Sequence, residues 1–249
     1  MSRLGWAVGL AVLLVACAGP EAEVSKQERA QQAYDLGVGA LAEGNLAKAT
    51  TDLQRAVENE PINARYHYAL GNVYLRSQQT DKGVAELRRA TDLDPGLADA
   101  WGDLGKIYYS QQSYELAIDA FRKAIANPRY LNPEQAYIGL GDIYMRQQRY
   151  LLAGDQFRKV IDLTPQSPDG YFLLGRALRA QGKLVEAKEQ VQKAIKLNGT
   201  IPVFFLELGT IQQQLNEMPD AKDSYRRVIE MSAGSKEGDE ARQRLQQIP

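Results

Sequence analysis

A thiol and an imidazole are the side chains best suited to nucleophilic, acid–base or soft-metal chemistry near neutral pH. This sequence of 249 residues has one of each, Cys17 and His67. A single thiol excludes an intramolecular disulfide and any cysteine-rich zinc site. A single imidazole leaves one candidate base for a Ser-His-Asp or Cys-His arrangement, and it falls in a register otherwise held by packing aromatics. No P-loop or dinucleotide fingerprint occurs, and Gly37 with Gly39 belongs to a wider repeat. Thirty Lys and Arg against 31 Asp and Glu leave a formal charge of −1, with no excess positive charge to neutralise phosphates. The expectation is no enzyme, no cofactor, no metal, no small-molecule substrate and no nucleic acid.

What remains is to ask what Cys17 is for, and its surroundings answer. Arg3 is the only charge before it, and Leu4 to Val15 is almost wholly apolar. That run is short of the roughly 20 residues a membrane span needs, but it suits a secretory signal: basic start, short apolar centre, small residues at the cut. Leu14-Val15-Ala16-Cys17 resembles the lipobox of bacterial lipoproteins, in which the cysteine is lipidated and the chain is cut just before it. The resemblance implies a signal peptide over 1–16 and a lipidated tether over 17–29. Each buried CH₂ of an acyl chain contributes about 0.8 kcal/mol, so several chains hold stably where one is marginal. Ala18 stands where aspartate would mark inner-membrane retention in enterobacterial-type sorting. An outer-membrane, periplasm-facing location is therefore expected. The competing reading is an ordinary signal peptide with an incidental cysteine.

The body of the chain repeats. Leu-Gly recurs at Leu36-Gly37, Leu70-Gly71, Leu104-Gly105, Leu140-Gly141, Leu174-Gly175 and Leu208-Gly209, at spacings of 34, 34, 36, 34 and 34. Twelve positions after each glycine stands a small residue: Ala49, Gly83, Ala117, Ala153, Ala187 or Ala221. A mid-helix glycine costs about 1 kcal/mol against alanine. Six at one phase need a packing reason, and close contact of glycine with that small residue is the one expected.

These residues resemble the tetratricopeptide (TPR) signature, a helix–turn–helix repeat of 34 residues. Its aromatic at position 4 is matched by Trp101, Tyr137, Tyr171 and Phe205, with Ala33 and His67 weaker; that at position 11 is matched by Tyr74, Tyr108 and Tyr144. Its large apolar residue at position 24 is matched by Leu53, Leu87, Phe121, Phe157, Val191 and Tyr225, and Pro61, Pro95 and Pro165 close three repeats. Positions 4, 7, 8 and 11 independently mark one face of an amphipathic helix. The expected fold is all-α: a right-handed superhelical solenoid of six repeats, at 30–63, 64–97, 98–133, 134–167, 168–201 and 202–235. Residues 236–249 are read as a capping helix, with Ala241, Leu245 and Ile248 on its covered side.

In the TPR family, positions 2, 5, 9 and 12 of the first helix line a concave partner groove. Carried over, they give Tyr34, Val38, Leu41, Tyr68, Asn72, Leu75, Lys106 and Tyr109 in the first three repeats. The last three give Ile138, Asp142, Met145, Phe172, Arg176, Arg179, Leu206 and Gln213. Packing between repeats is the alternative role for any of them. The basic clamp of carboxylate-binding TPR domains is absent: Tyr34 and Val38 stand where its first lysine and asparagine belong. The third junction carries two extra residues around Pro128-Arg129-Tyr130-Leu131-Asn132-Pro133. This loop, the lipobox, the repeat count and the length resemble the type IV pilus pilotins. That family's lipoproteins bind the secretin and promote its assembly into the outer-membrane ring. The resemblance implies a secretin partner bound by the N-terminal part of the groove. The alternative is a periplasmic TPR scaffold for cell-wall enzymes or another envelope complex.

If Cys17 is the anchor, Cys17→Ser abolishes palmitate incorporation and releases the protein from the outer membrane. Labelling that persists in the variant contradicts the lipobox reading.

Overall fold

The computed structural model describes residues 25–248. Cys17, the expected signal segment and most of the expected tether lie outside the described residues. The described part is helical throughout and divides into two compact units, the first ending at Pro61 and the second running from Ile62.

The first unit contains one helix pair, α1 (Lys26–Ala42) and α2 (Leu46–Asn59). The second contains α3 (Ala64–Arg76), α4 (Thr80–Leu93), α5 (Ala98–Ser110), α6 (Tyr114–Ala126), α7 (Pro133–Arg146) and α8 (Tyr150–Leu163). It continues with α9 (Pro168–Ala180), α10 (Leu184–Leu197), α11 (Pro202–Gln214), α12 (Met218–Ser232) and α13 (Lys236–Gln246). Both units are all-α and built from helix pairs, and the second stacks its pairs as a TPR-type solenoid.

Local chemistry sets the helix ends. Ser25 caps α1 through a reciprocal box: its Oγ accepts from Glu28 N–H at 3.1 Å, and Glu28 Oε2 accepts from Ser25 N–H at 2.8 Å. Pro133, Pro168 and Pro202 open α7, α9 and α11, where a missing N–H costs nothing. All six turns inside the repeats share one device. The N–H of Asn45, Gln79, Ser113, Arg149, Lys183 and Glu217 reaches back five residues to the carbonyl of Ala40, Tyr74, Tyr108, Tyr144, Leu178 and Gln212, at 2.8–3.0 Å. This is the Schellman closure, and it forces the residue before each donor into left-handed backbone. Gly44 and Gly182 adopt it freely, at φ 78°. Gln78, Gln112, Gln148 and Asn216 adopt it with a side chain, at φ between 58° and 64°, for about 1–2 kcal/mol each.

The helix pairs are keyed by the six Leu-Gly glycines, but the structure corrects their partner. A Cβ on Gly105 would lie 2.5 Å from the Phe121 ring, and one on Gly37 would lie 2.6 Å from Leu53 Cγ. Leu87, Phe157, Val191 and Tyr225 meet Gly71, Gly141, Gly175 and Gly209 in the same way. The residue that needs the glycine is therefore the large one at position 24, not the small one at position 20. Position 20 contributes backbone: the Gly83 and Ala187 carbonyls would sit 3.2 Å from a Cβ on Gly71 and Gly175. Phe121 is confined on two sides, because a Cβ on Gly139 of α7 would lie 2.6 Å from the same ring.

Within the second unit a single apolar cluster runs from Leu87 to Ile211. Polar bridges accompany it from one repeat to the next: Arg88 Nε donates to the Tyr108 hydroxyl at 2.8 Å, and Arg122 Nη2 to the Tyr144 hydroxyl at 2.9 Å. Lys188 reaches Glu217 at 2.7 Å. The last pair is covered by α13, whose Ala241, followed by Ile248, is buried with Leu206, Tyr225 and Val228, while Leu245 packs alongside.

Replacing Gly105 with leucine forces side chains into the Phe121 ring and is expected to destabilise by about 1–3 kcal/mol. Lys106→Ala, at a side chain 48% exposed, leaves stability within about 0.5 kcal/mol. Urea unfolding of the two variants reads the difference directly.

Candidate partner-binding groove

In the second unit the first helix of each pair spends positions 7 and 8, the Leu-Gly residues, on packing. Positions 2, 5, 9 and 12 are left to form the candidate groove. In the first unit, Tyr34 and Leu41 are half-buried on α1, and Val38 is exposed. Leu36, in a register that is buried in the other repeats, is 52% exposed.

In the second unit the aromatic residues are not free rings. The Tyr68 hydroxyl donates to Asp103 Oδ2 of the following pair at 3.2 Å. The Tyr109 hydroxyl donates to Asp142, whose Oδ2 also accepts from Arg146 Nε at 3.0 Å. Arg179 grips both oxygens of Glu207, the shorter contact being 2.6 Å. Phe172 stacks on Phe204 with centroids 4.7 Å apart. Asn72 is half-buried beside the Tyr68 hydroxyl. Lys106 pairs with Asp103 at 3.0 Å. Ile138 and Met145 are half-buried, and Arg176 is exposed. The contacts of Tyr68, Tyr109, Arg179 and Phe172 each join a helix to its counterpart one repeat on, so this part of the groove wall is itself a set of contacts between repeats.

Two residues expected in the groove belong to the framework. Leu75 is half-buried in the seam between α3 and α4, where a Cβ on Gly83 would lie 2.7 Å from its Cγ. Leu206 is 8% exposed and joins the cluster under α13. Truncating Leu75 therefore removes packing, not only groove surface. His67 is 6% exposed, with Nδ1 2.6 Å from Glu86 Oε2, and packs between α3 and α4.

The residues that sequence reasoning missed sit around the third junction. Asn127 pins the loop, donating from Nδ2 to the Gly96 carbonyl at 2.7 Å and accepting from Arg129 N–H at 2.9 Å. Tyr130 is thereby turned inward over α5, its ring filling the space that a side chain at Gly102 would take, with Cζ 2.7 Å from the Cβ position. A glycine at position 5 beside a tyrosine in the inserted loop was the available signal. Among the described residues, no group of three or more His, Cys, Asp or Glu is placed to hold a metal, and no helix is long and apolar enough to cross a membrane.

Burial, then the charge of Asp103, pushes the Tyr68 hydroxyl up to about 12; burial, then Asp103 and Asp99, does the same to Tyr130. A phenol in the unfolded chain titrates near 10. The folded state thus holds these protons longer, and the associated stability is present below pH ~10 and lost as pH rises from about 10 to about 12. A spectroscopic alkaline titration is expected to show a late tyrosinate step that is smaller in both Tyr68→Phe and Tyr130→Phe.

Sequence profiles described as tetratricopeptide repeat match residues 34–98, 68–132 and 103–168, and a further one matches 168–201. No curated protein gives a significant match. Among solved structures, PilF of Pseudomonas aeruginosa is similar at 21% identity and a TM-score of 0.70, covering 88% of this chain and 99% of that one. PilW, described as a widely conserved type IV pilus biogenesis factor, is similar at 19% identity and TM-score 0.66, covering 88% and 97%. YrrB, described as a TPR protein with an unusual peptide-binding site, is similar at 19% identity and TM-score 0.68, covering 77% and 97%. At these identities the likeness is one of fold.

Proposed function

Because this chain belongs to the tetratricopeptide repeat family, a scaffold for protein–protein contacts, we propose that it serves as a type IV pilus pilotin. In this reading it is lipidated at Cys17, faces the periplasm from the outer membrane, and binds secretin subunits through the groove of its N-terminal repeats. Binding there promotes assembly of the secretin into its multimeric ring.

The observation that carries the reading is the near end-to-end likeness to PilF and PilW, which leaves almost none of either relative unmatched. Both relatives are matched over 88% of this chain, against 77% for YrrB, and the proposed partner rests on the site and the anchor rather than on the fold. The lipobox at Leu14–Cys17 and the lengthened third junction support it from the sequence side. Mechanistically, the groove offers half-buried rings with tethered hydroxyls, already ordered before a partner arrives. Preordered aromatic surface binds at lower entropic cost than flexible chains do.

In a strain lacking the gene, heat-resistant secretin multimers on an immunoblot are expected to fall and monomers to accumulate. Restoring the wild-type gene returns the multimers; restoring Cys17→Ser returns few. Unchanged multimers in the deletion would overturn the proposal and favour a scaffold for other envelope proteins.

A further inference from the structure

We propose that the concave face of α5 carries a subsite for a cationic side chain, arginine or lysine, of the polypeptide bound in the groove. It rests on the protein-interaction reading and gives the partner a chemistry. Position 5 of the first helix is Tyr34, Tyr68, Ile138, Phe172 or Leu206 in the other repeats, and Gly102 here. The gap is filled from outside the repeat by Tyr130, which is 6% exposed and whose hydroxyl has no hydrogen-bond partner. Asp99 and Asp103 flank Gly102 on the same helix, one turn apart, and both raise the pKa of that phenol.

The two carboxylates are not equivalent. Asp103 accepts from Tyr68 and pairs with Lys106. Asp99 forms no hydrogen bond or ion pair among the described residues, and its Oδ1 is buried without a partner. A position in the first turn of α5 explains why an acid is tolerated there, but it supplies no donor to that oxygen. Native structures leave few buried polar atoms unmet. Here a carboxylate oxygen and a phenol are unmet around one glycine.

The Tyr130 O–H is itself a donor, so what the cluster lacks is less a hydrogen-bond donor than positive charge beyond that of Lys106. Two carboxylates against the single ammonium of Lys106 leave one negative charge in excess. Guanidinium and ammonium groups are pure donors, and their hydrogen bonds to carboxylates are the strong, charge-assisted kind. Asp99 as a residue is partly exposed, so its carboxylate group borders the surface from which a ligand would approach. An acidic ligand is repelled, the reverse of a carboxylate-binding clamp.

The test uses the full chain, labelled with ¹⁵N and titrated with N-acetyl-arginine amide and with its neutral isostere N-acetyl-citrulline amide. Saturable shifts at the Gly102 amide are expected with the arginine probe only, about ten-fold weaker in Asp99→Asn. Tyr130→Phe, which keeps the ring in its slot, also weakens the arginine probe. Equal shifts from both probes, or an affinity unchanged in Asp99→Asn, overturn the subsite and leave an ordered water as its occupant. Secretin capture separates the two proposals. Capture by wild type and equally by Asp99→Asn sinks the subsite alone. Arginine binding without any secretin capture by wild type sinks the pilotin reading and leaves the subsite standing.

Discussion

Two helices joined by a short turn can close over a phenylalanine or tyrosine only if the facing helix gives up a Cβ where they cross. Everything else in this protein is arranged around that exchange. Gly105 makes room for Phe121, Gly141 for Phe157 and Gly209 for Tyr225. The glycine costs its helix about 1 kcal/mol, while burying a large apolar side chain contributes about 1.5–3 kcal/mol. The exchange favours folding only if the large residue arrives at the correct phase. That requirement fixes the length of the turn, and the turn fixes the left-handed residue within it. Gln78, Gln112, Gln148 and Asn216 accept an unfavourable backbone because a longer turn would carry the large side chain past its glycine.

Once the pairing face is spent, the surface left on the first helix is narrow, and neighbouring repeats compete with ligands for it. The tyrosines show the compromise. Their rings line the candidate groove, and their hydroxyls are tied to carboxylates one repeat on. A groove built this way is stiff where its aromatic residues are. Losing a carboxylate such as Asp103 or Asp142 disturbs the ring that reports to it and the junction between repeats together.

Much of this was legible in the sequence. The Leu-Gly phase gave the number of pairs, and the apolar residue sixteen positions on gave their cores. Periodicity failed where it had to choose between two positions on the same helix. Positions 20 and 24 are one turn apart, so spacing alone could not say which of them the glycine serves. Leu75 misled for a related reason: the groove register at position 12 runs along the edge of the pairing face, and Gly83 opposite lets a leucine fall inward. Tyr130 was invisible to repeat counting, which treats two extra residues as a spacer. Only space shows that they return a side chain to the repeat that lacks one. The hydroxyl–carboxylate bridges were hidden because each partner lies about one repeat away and neither residue type is unusual alone.

The covering helix α13 has a consequence for how such a chain can grow. Its Ala241 and the following Ile248 close on Leu206 and Tyr225 of the final pair, a fit made to that one surface. A duplicated unit added behind residue 235 would inherit no cover, while the old cover would be left facing a stranger. Duplication within the array avoids that loss, because each new unit meets the same kind of neighbour on either side. What α13 covers is one particular surface, so its fit is specific to the pair it closes on.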